Sequence, residues 1–144
     1  PMNKTINIAV IGLGQIGIYL LNELNNKKKD IELKTGKKIK VVAISAKNIN
    51  KKRQFKVDKK IFYRNPLDIF KKHKLDILFE VIGHSDGVSK NVVETALKNK
   101  IHVVTPNKAL ISKHGNDLSK LAEINLPREA KYRGTGRNAR NYRP

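Results

Sequence analysis

The stretch Thr5-Ile6-Asn7-Ile8-Ala9-Val10-Ile11-Gly12-Leu13-Gly14-Gln15-Ile16-Gly17 decides the fold of this 144-residue chain. Apolar residues run almost without interruption to Ile11, the pattern of a parallel strand covered on both faces, so a buried strand is predicted from Thr5 to Ile11. Gly12 ends it. Ile16, Ile18, Tyr19, Leu20, Leu21 and Leu24 then recur at helical spacing, which predicts a helix from Gln15 to about Asn25, closed by Asn25, Asn26 and the lysines after them. Residues 27–38 are polar, carry Gly36, and read as an exposed connection or an extension of that helix. A second buried strand, Ile39 to Ala46, completes a strand-helix-strand unit, the right-handed crossover of a parallel sheet.

A GxGxxG pattern by itself is weak. Here it leaves a buried strand and opens a helix, and that context gives each glycine a physical role. Gly12 makes the tight turn, Gly14 lets the backbone approach a diphosphate, and Gly17 lets the helix pack close to the strand. The amides near Gln15 and Ile16 have no partner in the helical ladder, and the helix dipole favours negative charge beside them. The expected ligand is a nicotinamide dinucleotide held by Gly12, Leu13, Gly14, Gln15, Ile16 and Gly17; the alternative is a glycine-rich turn without a ligand.

The rest of the chain continues the alternation. Residues 47–60 read as a basic surface loop, and Asn65 and Pro66 as the cap and first residue of a short helix through His73. A third buried strand is predicted from Leu75 to Gly83. Ser85 or Asp86 is expected to cap a helix to about Asn99 whose inner face is Val88, Val92, Val93, Ala96 and Leu97. A fourth strand, Ile101 to Thr105, is followed by short helices over 107–114 and 116–123. The fold class is therefore α/β, a Rossmann-type doubly wound parallel sheet, over residues 3–125.

The composition changes after that. Residues 1–126 hold 23 lysines and two arginines, and residues 127–144 hold one lysine and five arginines. With almost no apolar content, residues 126–144 are expected to be a disordered basic tail, since they bury too little to offset ordering. The abrupt switch and Pro1 ahead of Met2 read as non-native ends, from another reading frame or a scar; an arginine-rich nucleic-acid arm is the alternative.

The net charge of +19 raises nucleic acid as a partner, but the lysines are spread over every polar stretch. Four tyrosines and four phenylalanines leave little for base stacking, and no helix-turn-helix, RNP or zinc-finger pattern occurs. No specific nucleic-acid binding is expected. The absence of cysteine excludes disulfides and thiolate metal sites, and no metal is expected. No apolar run approaches the roughly 20 residues of a membrane span, and the glycines after Ile11 break any signal peptide, so neither membrane nor export is expected.

The end of the second strand selects the dinucleotide. NAD enzymes usually place an acid there for the ribose hydroxyls, whereas a basic residue accommodates the extra phosphate of NADP. This chain has Ser45, Ala46 and Lys47, with Lys51, Lys52 and Arg53 behind them. NADP is favoured, with NAD left open. Glu80-Val81-Ile82-Gly83 and Thr105-Pro106-Asn107-Lys108 stand at the carboxyl ends of later strands, where open α/β sheets bind ligands, so Ile82, Gly83, Thr105, Asn107 and Lys108 are expected on the nicotinamide side. A cation in a first helical turn opposes the dipole at a cost of about a few tenths of a kcal/mol. Lys108 is thus either one more surface lysine or the partner of a ligand.

Ile11 to Gly17, Ile44-Ser45-Ala46-Lys47, Glu80 to Gly83, and above all His102-Val103-Val104-Thr105-Pro106-Asn107-Lys108-Ala109-Leu110-Ile111 with His114-Gly115 resemble homoserine dehydrogenase over about residues 3–125. The Thr-Pro-Asn-Lys-Ala segment is the more specific part, because related dehydrogenases share the glycine turn. The resemblance implies reversible hydride transfer between a nicotinamide cofactor and aspartate semialdehyde or homoserine, in cytoplasmic threonine and methionine synthesis. It makes Lys108 the catalytic candidate, matched to a lysine beside nicotinamide and substrate. His84 departs from the glycine often found there.

The family's substrate-binding and dimerising region, with a further catalytic lysine and acidic residues, has no counterpart after Leu126. A homodimer is accordingly expected of a full-length protein only. The chain itself is expected to bind dinucleotide weakly and turn over little, since positioning the acceptor supplies much of the rate. The competing readings are a stand-alone dinucleotide-sensing module and a basic nucleic-acid binder.

Overall fold

The computed structural model describes residues 4–47, 58–82 and 87–105, together with the backbone of a strand at 133–134. It divides into two units, Pro1–Asp76 and Ile77–Pro144.

The first unit is built on β1 (Thr5–Ile11), α1 (Gln15–Thr35), β2 (Lys38–Ser45) and β3 (Phe62–Tyr63), with strand order β3-β2-β1 and all pairs parallel. From Ile8 to Ile11 every residue of β1 is buried, as its unbroken apolar run requires. The register pairs Ile8 with Val41 but Ala9 with Ala43, so Val42 is an extra residue in β2. Beyond this shift Ile11 pairs with Ser45, which brings the ends of the two strands level.

Helix α1 does not stop at Asn25 as the sequence reading had it; of the two options for residues 27–38, the helix extension is the one adopted, to Thr35. No glycine or proline falls between Gly17 and Gly36. The exposed i,i+4 pairs Glu23–Lys27 (3.5 Å) and Asp30–Lys34 (3.0 Å) each add a few tenths of a kcal/mol, in the favourable acid-first order, about 0.3–0.5. The stop is Gly36, which takes the left-handed conformation at φ 73° and donates its N–H to the Glu32 carbonyl. Of the apolar residues that recur at helical spacing, Leu21 is buried, while Ile16 and Tyr19 are 56% and 66% exposed.

In the segment read as loop 47–60, residues 48–57 lie outside the described residues. From Asp58 the chain forms a 3-10 turn, Lys59–Ile61, capped by the Asp58 side chain accepting from the Lys60 N–H, and then β3, which the sequence reading missed. Two residues of strand carry too little periodicity to be legible. Asn65 caps the next turn as expected, accepting from the Leu67 N–H at 3.0 Å with Pro66 at its first position; the 3-10 turn Pro66–Asp68 runs into α2 (Ile69–Lys72). Asn7 ties the end of this unit to β1: its N–H donates to the Asp76 carboxylate, its carbonyl accepts the Asp76 N–H, and its amide donates to the Lys74 carbonyl.

The second unit holds β4 (Ile77–Glu80), α3 (Val88–Lys98), β5 (His102–Thr105) and β6 (Arg133–Gly134), parallel in the order β4-β5-β6. The strand expected from Leu75 to Gly83 is thus only four residues long. Val92, Val93, Ala96 and Leu97 of α3 are fully buried, but Val88, also assigned to the inner face, is 50% exposed because it stands at the helix start. The expected cap, Ser85 or Asp86, lies outside the described residues, and Gly87 occupies the capping position without a side-chain bond.

Helix α3 ends in a Schellman arrangement, Ile101 N–H to the Ala96 carbonyl (2.9 Å) and Lys100 N–H to the Leu97 carbonyl (3.0 Å). Lys100 occupies the left-handed position at φ 60° where glycine is usual. The helices expected over 107–114 and 116–123 lie outside the described residues. Within the tail read as disordered, Arg133–Gly134 pair with Val104–Thr105 as β6, and the remainder is outside the described residues.

Candidate functional site

The glycine turn forms at the carboxyl end of β1 because Gly12 adopts φ 107°, a region closed to most side chains. Its N–H donates to the Ser45 carbonyl at 2.7 Å. That bond extends the β1–β2 pairing one step and sets the turn beside Ser45, Ala46 and Lys47. Ser45 is buried, Ala46 half-buried and Lys47 exposed, so of these residues it is Lys47 that reaches solvent.

Gly14 is the N-cap of α1, and the first bond of the helix runs from the Ile18 N–H to its carbonyl at 3.0 Å. The amides of Gln15, Ile16 and Gly17 therefore precede the helical ladder. The first turn holds no acidic residue and no side-chain cap, so the positive end of the dipole is not neutralised from within α1. A Cβ built on Gly14 meets nothing within 4 Å among the described residues, and φ −77° is a value any residue adopts. Gly14 is thus not required by packing; the space over it is what a diphosphate needs. Gly17, by contrast, is buried within α1, and Leu13 is buried beneath the turn. Glycine at 12 and 14, amides that precede the helical ladder and a helix start with no acid in its first turn fit a dinucleotide phosphate.

The second group lies at the carboxyl ends of β4 and β5. Glu80, the last residue of β4, is completely buried. Its Oε2 accepts the Ile82 N–H at 2.8 Å and the Ser89 hydroxyl at 3.1 Å, and its Oε1 accepts the Thr105 hydroxyl at 2.8 Å. The Ile82 N–H is thereby taken up by the Glu80 side chain, and β4 ends at Glu80 although Val81 and Ile82 continue the apolar run. Ile82 is half-buried and Thr105 buried. Gly83, Asn107 and Lys108 lie outside the described residues.

Of the segment from Glu80 to Gly83, only Ile82 and Gly83 are expected from sequence as site residues, and the Glu80 carboxylate is not among them. The available signal was one acid inside the run Ile77-Leu78-Phe79-Glu80-Val81-Ile82. A buried carboxylate needs donors, and its two hydroxyl donors come from residues 9 and 25 positions away, which spacing does not reveal.

A cavity of about 400 Å³ lies between α1, β2 and the Lys59–Ile61 turn, lined by Leu21, Leu24, Lys28, Ile39, Val41 and Ile61 among others. None of the candidate residues lines it. Among the described residues no group of His, Cys, Asp and Glu is placed to hold a metal ion, and no helix is long and apolar enough to cross a membrane.

Residues 12–127 match the family model described as the homoserine dehydrogenase NAD-binding domain. The homoserine dehydrogenase of Neisseria gonorrhoeae is 30% identical over 120 residues, which cover 83% of this chain and 27% of that protein. The chain therefore spans about a quarter of that relative's length. The crystal structure of Staphylococcus aureus homoserine dehydrogenase at pH 6.5 superposes with a TM-score of 0.82 at 30% identity, covering 92% of this chain and 33% of that one. A hyperthermophilic archaeal homoserine dehydrogenase mutant in complex with NADPH shares the fold at 21% identity, with a TM-score of 0.62 over 84% of this chain and 41% of that one. The fold is the Rossmann-type α/β fold of nicotinamide dinucleotide binding, and the chain belongs to the homoserine dehydrogenase family, of which it carries the NAD-binding domain.

Proposed function

We propose that this chain holds NADP for a homoserine dehydrogenase, the enzyme that interconverts L-homoserine and L-aspartate 4-semialdehyde in threonine and methionine biosynthesis. The observation that carries the reading is the glycine turn: open space over Gly14 among the described residues, set against the first amides of an α1 whose first turn holds no acid and no side-chain cap. Gln15 and Ile16 hold the diphosphate through their amides, with Gly12 and Gly17 shaping the turn and Leu13 seating it. Ser45 and Ala46 flank the adenosine ribose, and exposed Lys47 meets the 2′-phosphate. The acid-free sequence Ser45-Ala46-Lys47 supports NADP over NAD. NADPH in the archaeal protein of the same fold accords with this preference.

Ile82, Gly83, Thr105 and Asn107 line the nicotinamide side, and Lys108 orients the substrate and moves the proton at its oxygen. The bound nicotinamide supplies the hydride acceptor for homoserine oxidation and the donor in reverse. The reaction also needs a surface that positions the substrate, which the relatives' remaining length supports as its source. On this reading the 144 residues bind dinucleotide weakly and turn over little alone, and the longer cytoplasmic enzyme is a homodimer. Calorimetric titration with NADPH and NADH tests the assignment. Heat is expected with both, and tighter binding with NADPH; a folded sample silent toward both coenzymes would remove the reading.

A further inference from the structure

The candidate cofactor residues of the second unit do not stand alone. Ile82 and Thr105 are joined through one buried group, the Glu80 carboxylate, which also reaches the first turn of α3 through Ser89. Helix α3 has no acidic residue in its first turn and no side-chain cap. Glu80 supplies negative charge to that positive end from the neighbouring strand, and the end in turn favours the carboxylate. Each partner donates, which is what a carboxylate accepts. The bonds join three segments that are separate in sequence: Ile82 after β4, the start of α3 and the last residue of β5.

A carboxylate at this place is more than the core requires. An apolar residue of the same volume would avoid the cost of burying a polar group, so the carboxylate's presence at the strand ends points to the geometry it imposes. We propose that Glu80 is a positioning residue for the nicotinamide end of the coenzyme, acting through Ile82 and Thr105; this rests on the dinucleotide-binding reading above. It touches neither coenzyme nor substrate. It fixes the Ile82 amide and the Thr105 hydroxyl at the ends of β4 and β5, and through these two residues the seat of the nicotinamide ring.

The test separates the two halves of the coenzyme. Glu80→Gln keeps the shape but turns an amide N–H toward groups that are themselves donors, and Ser89→Ala removes one donor from the cluster without touching a candidate binding residue. Binding of NADPH and of 2′,5′-ADP, which lacks the nicotinamide half, is titrated for the unaltered chain and for both variants, with folding checked by circular dichroism. One lost hydrogen bond corresponds to roughly a two- to tenfold change in affinity. NADPH binding is expected to weaken by about that factor in Glu80→Gln and by less in Ser89→Ala, with 2′,5′-ADP binding unchanged within twofold.

Equal weakening of both ligands would make Glu80 a fold-stabilising residue only, and unchanged NADPH binding in the folded variants would remove any role; either overturns the proposal. If Glu80→Gln does not fold, Ser89→Ala decides by the same criterion, and unfolding of both variants counts against the proposal. An unaltered chain that binds 2′,5′-ADP but not NADPH would also overturn it, whereas one that binds neither ligand overturns the dinucleotide reading itself.

Discussion

Replacing Gly14 with alanine asks whether the glycine turn serves the fold or a ligand. The backbone there, φ −77° and ψ −162°, is extended and open to any residue, and the added methyl meets nothing within 4 Å among the described residues. Two small terms act on stability and oppose each other. Alanine is a poorer N-cap than glycine by up to about 1 kcal/mol, and removing a glycine stabilises by about 0.4–1 kcal/mol through the unfolded state. Stability should therefore change by less than about 1 kcal/mol.

Binding should change far more. The methyl occupies the space through which a phosphate oxygen must approach the amides at the start of α1, and loss of one charge-assisted hydrogen bond costs about 1.5–3 kcal/mol. NADPH affinity is expected to fall by about ten- to a hundredfold. Fluorescence titration of NADPH alongside urea denaturation gives both quantities on one sample. A Gly14→Ala protein that binds NADPH as tightly as the unaltered chain, at equal stability, would refute the assignment of this turn to the diphosphate.

Gly12→Ala should act on the fold instead: with φ 107° the substitution is expected to lower stability by about 1–2 kcal/mol, read from the urea midpoint, and an unchanged midpoint would mean that the turn relaxes freely. Lys100→Gly is expected to do the reverse, stabilising the chain by about 1 kcal/mol by relieving the left-handed lysine at the end of α3; a lowered melting temperature would contradict this. Lys47→Ala should narrow the ratio of NADPH to NADH affinity by about three- to tenfold, less at high salt because Lys47 is exposed, and a ratio unmoved at low salt would take the 2′-phosphate away from it.

The first 46 residues are the most legible part of the fold because local pattern and chemistry coincide there. A double-faced apolar run, glycines at three spaced positions and a helical period have few other solutions, and β1, the turn and the start of α1 stand where the sequence puts them. The shape of the second half was less legible. Nothing in the apolar run from Ile77 to Ile82 indicates that the strand ends at Glu80, beyond which the Ile82 N–H goes to the Glu80 side chain.

Sequence by itself determined the βαβ unit, the glycine turn and the absence of an acid at the end of β2, because each depends on residues adjacent in the chain. Only tertiary structure decided that β2 carries an extra residue at Val42 and that Glu80 gathers Ser89 and Thr105 into one buried cluster. Such features follow from which distant groups satisfy a buried polar atom or a strand register, and that pairing is chosen by packing of the whole fold, not by spacing along the chain.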